Sequence, residues 1–168
     1  CGPTRYCPGY ATLTLHDRDG IAHWPLDHVV GGQTFDRVGG HTADVTGATS
    51  IDGVDGSALH FDGDRSEKVT ANASVERPFS VSLWIRPSEL DTSDANDYRD
   101  LLRTDRGSLL VLEENGRISF RTPGLRPDRL NAGRISVGEW SHVTAAYNGT
   151  HRVLYVDGQR VGTQPVSG

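Results

Sequence analysis

The chain has 168 residues, 35% of them hydrophobic, and a net charge of −5, enough for one domain that buries a core without help from disulfides or metals. No apolar run approaches the about 18 residues that a membrane helix needs. Acidic and basic residues are interspersed, so the basic face expected of a nucleic-acid-binding protein is missing.

In chain order, Cys1 to Gly9 is rich in proline and glycine and reads as an arm. Tyr10 to His16 then alternates Ala11, Leu13 and Leu15 with Thr12, Thr14 and His16, the period of two of a strand. Gly31 to Ser50 shows little periodicity and reads as irregular loop with one short strand near Val45. Ala58–Phe61 and Glu67–Ala71 read as a strand pair around Asp62-Gly63-Asp64. Phe79 to Arg86 is the clearest strand, with Phe79, Val81, Leu83 and Ile85 on one face and Ser80, Ser82, Trp84 and Arg86 on the other, and Pro87 ends it. Ser88 to Asp97 is a polar, acidic connection before Leu101-Leu102.

Leu109–Leu112 and Arg117–Arg121 flank Asn115-Gly116, a strong hairpin signal, and Glu114 and Arg117 are placed to pair beside it. Thr122 to Gly138, with Pro123 and Pro127, reads as loop. Trp140 to Gly162 states three strands joined by Asn148-Gly149 and Asp157-Gly158, an antiparallel meander. Many short strands punctuated by turn residues, and no sustained helical period, predict an all-β sandwich.

Three stretches carry a family resemblance. Trp140, His142-Val143, Tyr147-Asn148-Gly149 and Leu154-Tyr155-Val156-Asp157-Gly158 resemble the signature hairpin of laminin-G-like, concanavalin A-like jelly-roll domains. Ser57 to Gly63 and Phe79 to Ile85 match in order and spacing, and Trp24-Pro25-Leu26-Asp27 followed by Asp36 matches more weakly. The resemblance implies an antiparallel jelly-roll β-sandwich over residues 21–168, preceded by an arm, residues 1–20, that holds the 10–16 strand. In such domains further strands follow the Val-Asp-Gly hairpin, which implies a sandwich missing or sharing its C-terminal strands. A second chain or the remainder of a longer polypeptide is expected to cover that place in preference to Tyr10–His16.

The chemistry implied is recognition, by binding carbohydrate or mediating adhesion. A jelly-roll glucanase sets a nucleophile and an acid/base carboxylate on one strand about 5 Å apart. Here the adjacent glutamates, Glu113 and Glu114, alternate to opposite faces. Zinc-binding spacings, a nucleophile elbow and a phosphate-binding loop are likewise missing. Trp84, with Arg86 and Ser82 on the polar face of its strand, is the candidate platform for a carbohydrate or other cell-surface ligand, because a pyranose stacks its C–H face on an indole.

Asp27 and Asp36 match positions where the family often holds calcium, and Asp62 follows the matching Phe61; calcium takes its oxygens from such loop carboxylates. The competing reading is that turn aspartates hydrogen-bond their own backbone. The alternative to a recognition module is a structural subunit of a surface layer or filament that shares strands with another chain. An extracellular or cell-surface location follows from the resemblance, and the sequons at Asn72 and Asn148 agree with it. The chain contains no methionine, as expected of a processed or excised piece. Cys1 is either lipid-bearing or joined to Cys7 by a disulfide.

Overall fold

The computed structural model of the protein describes residues 10–16, 22–63, 66–90 and 99–168. All of their regular structure is β-strand. The first seven strands are β1 (Tyr10–His16), β2 (Ala22–Trp24), β3 (Gln33–Phe35), β4 (Thr42–Thr46), β5 (Thr49–Asp52), β6 (Ser57–His60) and β7 (Lys68–Ala71). The rest are β8 (Phe79–Ile85), β9 (Arg99–Thr104), β10 (Gly107–Leu112), β11 (Arg117–Arg121), β12 (Arg129–Arg134), β13 (Ser141–Tyr147), β14 (His151–Val156) and β15 (Gln159–Pro165).

They form three antiparallel sheets. The large one has eight strands in the order β15-β14-β13-β8-β1-β6-β5, with β2 also paired to β1. The others run β12-β11-β10-β9 and β3-β4-β7. Alternation fixes which way each faces. Val81, Leu83 and Ile85 of β8 lie beside Ala145, Val143 and Ser141 of β13, so one side of the large sheet is apolar. Leu110, Leu112, Ile118 and Phe120 of the four-stranded sheet and Ala43 of the three-stranded sheet join the same core. Burying each large side chain of this kind contributes about 1.5–3 kcal/mol, and this contribution holds the two small sheets on the large one. Phe79 meets Phe120 edge-on across the core, with centroids 6.2 Å apart.

A paired cation is built into the interior. Arg152 on β14 is fully buried, and its guanidinium donates to the Phe120 carbonyl at 3.3 Å and to the Pro127 carbonyl, tying the large sheet to β11 and the loop after it. Beside it β12 packs against β14 and β15. That approach needs a glycine: Gly133 has φ +68°, and a Cβ there would lie 2.9 Å from methyls of Val156 and Val161.

The sandwich, β8, the Asn115-Gly116 hairpin and the Trp140–Gly162 meander stand as read from sequence; Asp157 and Gly158 have φ 50° and 75°, as a tight hairpin turn requires. Four local expectations are corrected. Besides the expected short strand near Val45, which is β4, residues 31–50 hold β3 and the start of β5, and the loop expected at 122–138 holds β12. The strands around Asp62-Gly63 do not pair with each other: β6 joins β1 and β5, whereas β7 joins β4. Arg117 donates to the Asn131 carbonyl at 2.9 Å, and it is Arg121 that lies 3.8 Å from a Glu113 oxygen.

The largest correction concerns β1. It pairs with β8 from Ala11↔Ile85 to His16↔Ser80 and with β6 and β2 on its other side. The strand Tyr10–His16, which the sequence reading ranks behind a partner chain or the remainder of a longer polypeptide, thus lies within the large sheet, between β8 and β6. Among the described residues no helix is long and apolar enough to cross a membrane.

Candidate functional site

The side of β8 that turns away from the core carries Ser80, Ser82 and Trp84, all half-buried. Register brings partners that alternation within one strand cannot show. His142 of β13 lies opposite Trp84, Thr144 opposite Ser82, and Tyr155 of β14 opposite Thr144. The Trp84 and His142 rings sit side by side, centroids 5.0 Å apart and planes 34° apart. Trp84, His142 and Tyr155 thus form an oblique band of rings across three strands, with the hydroxyls of Ser82 and Thr144 along it. At the end beyond Trp84, the Arg86 guanidinium lies over the Trp140 ring, 5.2 Å from its centroid.

His142 is held in place from behind, because its backbone N–H donates to the Asp157 carboxylate at 2.7 Å. Burial pushes the imidazole pKa below its ordinary value, with the Asp157 charge pulling the other way. The ring is therefore neutral at pH 7, with one nitrogen donating and the other accepting. Ser82, Trp84 and Arg86 do share one face, as expected. His142, Thr144 and Tyr155, which sequence reasoning passed over, complete it.

The candidate calcium residues fall differently. Asp36 is the organising group of the loop between β3 and β4. Its Oδ1 accepts the N–H groups of His23 at 2.6 Å and Val38 at 2.8 Å. Its Oδ2 accepts Gly39 N–H at 2.7 Å and His41 N–H at 3.3 Å, and lies 3.1 Å from His41 Nδ1. Burial raises the pKa of this carboxyl, but the converging N–H groups outweigh it and hold the pKa far below the usual carboxylate range.

Asp27 accepts from Arg37 at 2.8 Å and from Ser57 N–H at 3.2 Å. Asp62 is exposed at a turn tied by Glu67, whose Oε2 accepts the N–H groups of Asp62 and Gly63. Calcium takes six to eight oxygens, whereas the oxygens of Asp27 and Asp36 face N–H donors that repel a cation. Among the described residues no three His, Cys, Asp or Glu side chains gather as a metal set. In this arrangement the carboxylate oxygens of Asp27 and Asp36 accept from N–H groups.

Two further half-buried carboxylates are engaged. Asp100 accepts from Arg103 at 3.0 Å, and Glu113 lies against Arg121.

Comparison with known proteins places the chain beside a known family. A laminin-G family model, described as the concanavalin A-like lectin/glucanases superfamily, matches residues 61–168, well over half of the chain and the part that holds Trp84, His142 and Tyr155. Neither a curated protein nor a solved structure matches.

Proposed function

The chain belongs to the concanavalin A-like lectin/glucanase superfamily, and we propose that it is a non-catalytic recognition module of an extracellular or cell-surface protein, binding carbohydrate on the outer face of its eight-stranded sheet. The observation that carries this reading is the half-exposed Trp84–His142 pair set among hydroxyls. An indole offers a flat apolar surface to the C–H face of a pyranose, while a neutral imidazole, the Ser82 and Thr144 hydroxyls and the Tyr155 phenol supply donors and acceptors to sugar hydroxyls. Arg86, steered by Trp140, would favour acidic or heavily hydroxylated glycans.

A binding role is also supported by the state of the carboxylates. Asp27, Asp36, Asp100 and Glu113 each carry a guanidinium or N–H partner, whereas an acid/base pair for glycoside hydrolysis faces an open groove with its proton free to move. The alternative, a structural subunit that assembles by sharing strands with another chain, draws on one observation, the edge of β9 that is open among the described residues.

Titration calorimetry against a panel of soluble neutral and acidic polysaccharides tests the proposal. Trp84→Ala should weaken the binding of whichever polysaccharide the chain takes by about tenfold or more, the loss expected when a stacked aromatic is removed from a contact. Failure of the native chain to bind any of them, or an unchanged affinity in Trp84→Ala, would rule the reading out.

A further inference from the structure

The edge of the four-stranded sheet carries a group that the described residues leave unsatisfied. Arg99 opens β9 and lies opposite Leu112, whose side chain enters the core. Arg99 is 4% exposed, and its Nε, Nη1 and Nη2 are all buried without a hydrogen-bond acceptor. Arg152 shows how this chain otherwise treats a buried guanidinium, by supplying carbonyls. An unpaired buried charge is strongly unfavourable, so its persistence points to a group that arrives from outside.

The surroundings of Arg99 say what kind of group. Among the described residues β9 pairs only with β10, which leaves the N–H and C=O groups of its other edge without a ladder. Leu101 and Leu102 pack on the core yet remain half-buried. On the far side of this sheet β12 packs against β14 and β15, so the open edge is the one that faces away from that closed side. β7, an edge of the separate three-stranded sheet, likewise keeps Val69 and Ala71 half-buried. A small anion would satisfy the guanidinium but neither the ladder nor the leucines. An added strand satisfies all three.

We propose that β9 accepts a strand from a partner polypeptide, an extended segment with an aspartate or glutamate that pairs with Arg99 and apolar side chains that cover Leu101 and Leu102. The partner is read by main-chain pairing along β9 and by one buried ion pair. This interaction is independent of the ring-lined face of the large sheet.

The 168-residue chain is titrated with nine-residue peptides of alternating Val and Thr, in which a single Glu is walked along the inward positions, and with their Gln counterparts. Binding is followed by calorimetry and by amide exchange of residues 99–104. At least one Glu peptide should bind and slow exchange along β9 by tenfold or more, and its Gln counterpart should bind at least tenfold more weakly. Arg99→Leu should take the Glu and Gln peptides alike and, without peptide, should be no less stable than the native chain.

Equal binding of Glu and Gln peptides to the native chain would overturn the proposal, as would no binding at all. A loss of stability in peptide-free Arg99→Leu would overturn it too, because the guanidinium would then already have an acceptor. So would a dimer in solution with β9 amides protected before any peptide is added, since a second copy would then occupy the edge.

Discussion

Asp36 offers the sharpest test of how this sandwich is held at its β2–β4 corner. Its carboxylate is the shared acceptor of backbone N–H groups from β2 and from the loop before β4, and its side chain has no exposure to water. Asp36→Ala removes the acceptor and leaves those donors facing a void. Hydrogen bonds to a charged group are worth about 1.5–3 kcal/mol each, but they are not additive, and water reaches part of the exposed loop once the side chain is gone. A loss of about 3–5 kcal/mol is the reasonable sum. For a domain of this size each kcal/mol lowers the melting temperature by about 2–4 °C, so the midpoint should fall by about 6–20 °C.

Asp36→Asn keeps one acceptor oxygen and should fall by less. The sign with pH follows from the lowered pKa. The folded state binds the proton less tightly than the unfolded state, so the contribution of Asp36 is fully present above the ordinary carboxylate pKa and is lost as pH falls through the folded value. The difference in stability between native protein and Asp36→Asn should therefore be constant from pH 7 to about pH 5 and shrink below about pH 4. Urea unfolding of native protein and both variants between pH 3 and pH 7 measures this. A midpoint in Asp36→Ala within 2 °C of the native value, or a difference that grows on acidification, would refute the reasoning.

Chelator should leave the melting temperature of the native chain unchanged, because the oxygens of Asp27 and Asp36 are taken by N–H groups; a fall on chelation that is absent in Asp36→Ala would restore a calcium role. Arg152→Ala should cost about 3–5 kcal/mol in urea unfolding, since it leaves the Phe120 and Pro127 carbonyls buried without a donor and opens a cavity. Arg152→Met, which fills the space but not the acceptors, should cost less. Gly133→Ala should lose about 1–3 kcal/mol by the same measurement, because φ +68° is strained for alanine and its methyl would press on Val156 and Val161; a neutral result would mean that β12 can move away from β14.

The parts of this structure that could be read from the sequence are those in which a strand states its own burial. Phe79 to Ile85 alternates without interruption, and the structure buries Phe79, Val81, Leu83 and Ile85. Asn115-Gly116 and Asp157-Gly158 mark hairpins by backbone preference alone. β12 was hidden because Arg129-Leu130-Asn131-Ala132-Gly133-Arg134 carries only two apolar residues and follows Pro127; it holds as a strand through its pairing with β11 and the close approach at Gly133. β3 is three residues long and becomes a strand only because β4 pairs with it.

The candidate site was legible by one strand's width. Outward alternation placed Ser82, Trp84 and Arg86 together, since that needs nothing beyond the period of two. The step from Trp84 to His142 and on to Tyr155 depends on which strands are neighbours and in what register, and a one-residue slip would have turned His142 into the core and Val143 out of it. The surroundings of the carboxylates were hidden for a related reason. A loop aspartate that holds an ion and one that gathers backbone N–H groups have the same sequence, and the difference lies in the path of the chain around them. At Asp36 that path brings in His23, Val38, Gly39 and His41, and the site is made of donors. Arg99 sits at the opposite limit, a charge without an acceptor among the described residues: from sequence it is one arginine among many, and only the edge of β9 that those residues leave open gives it a question to answer.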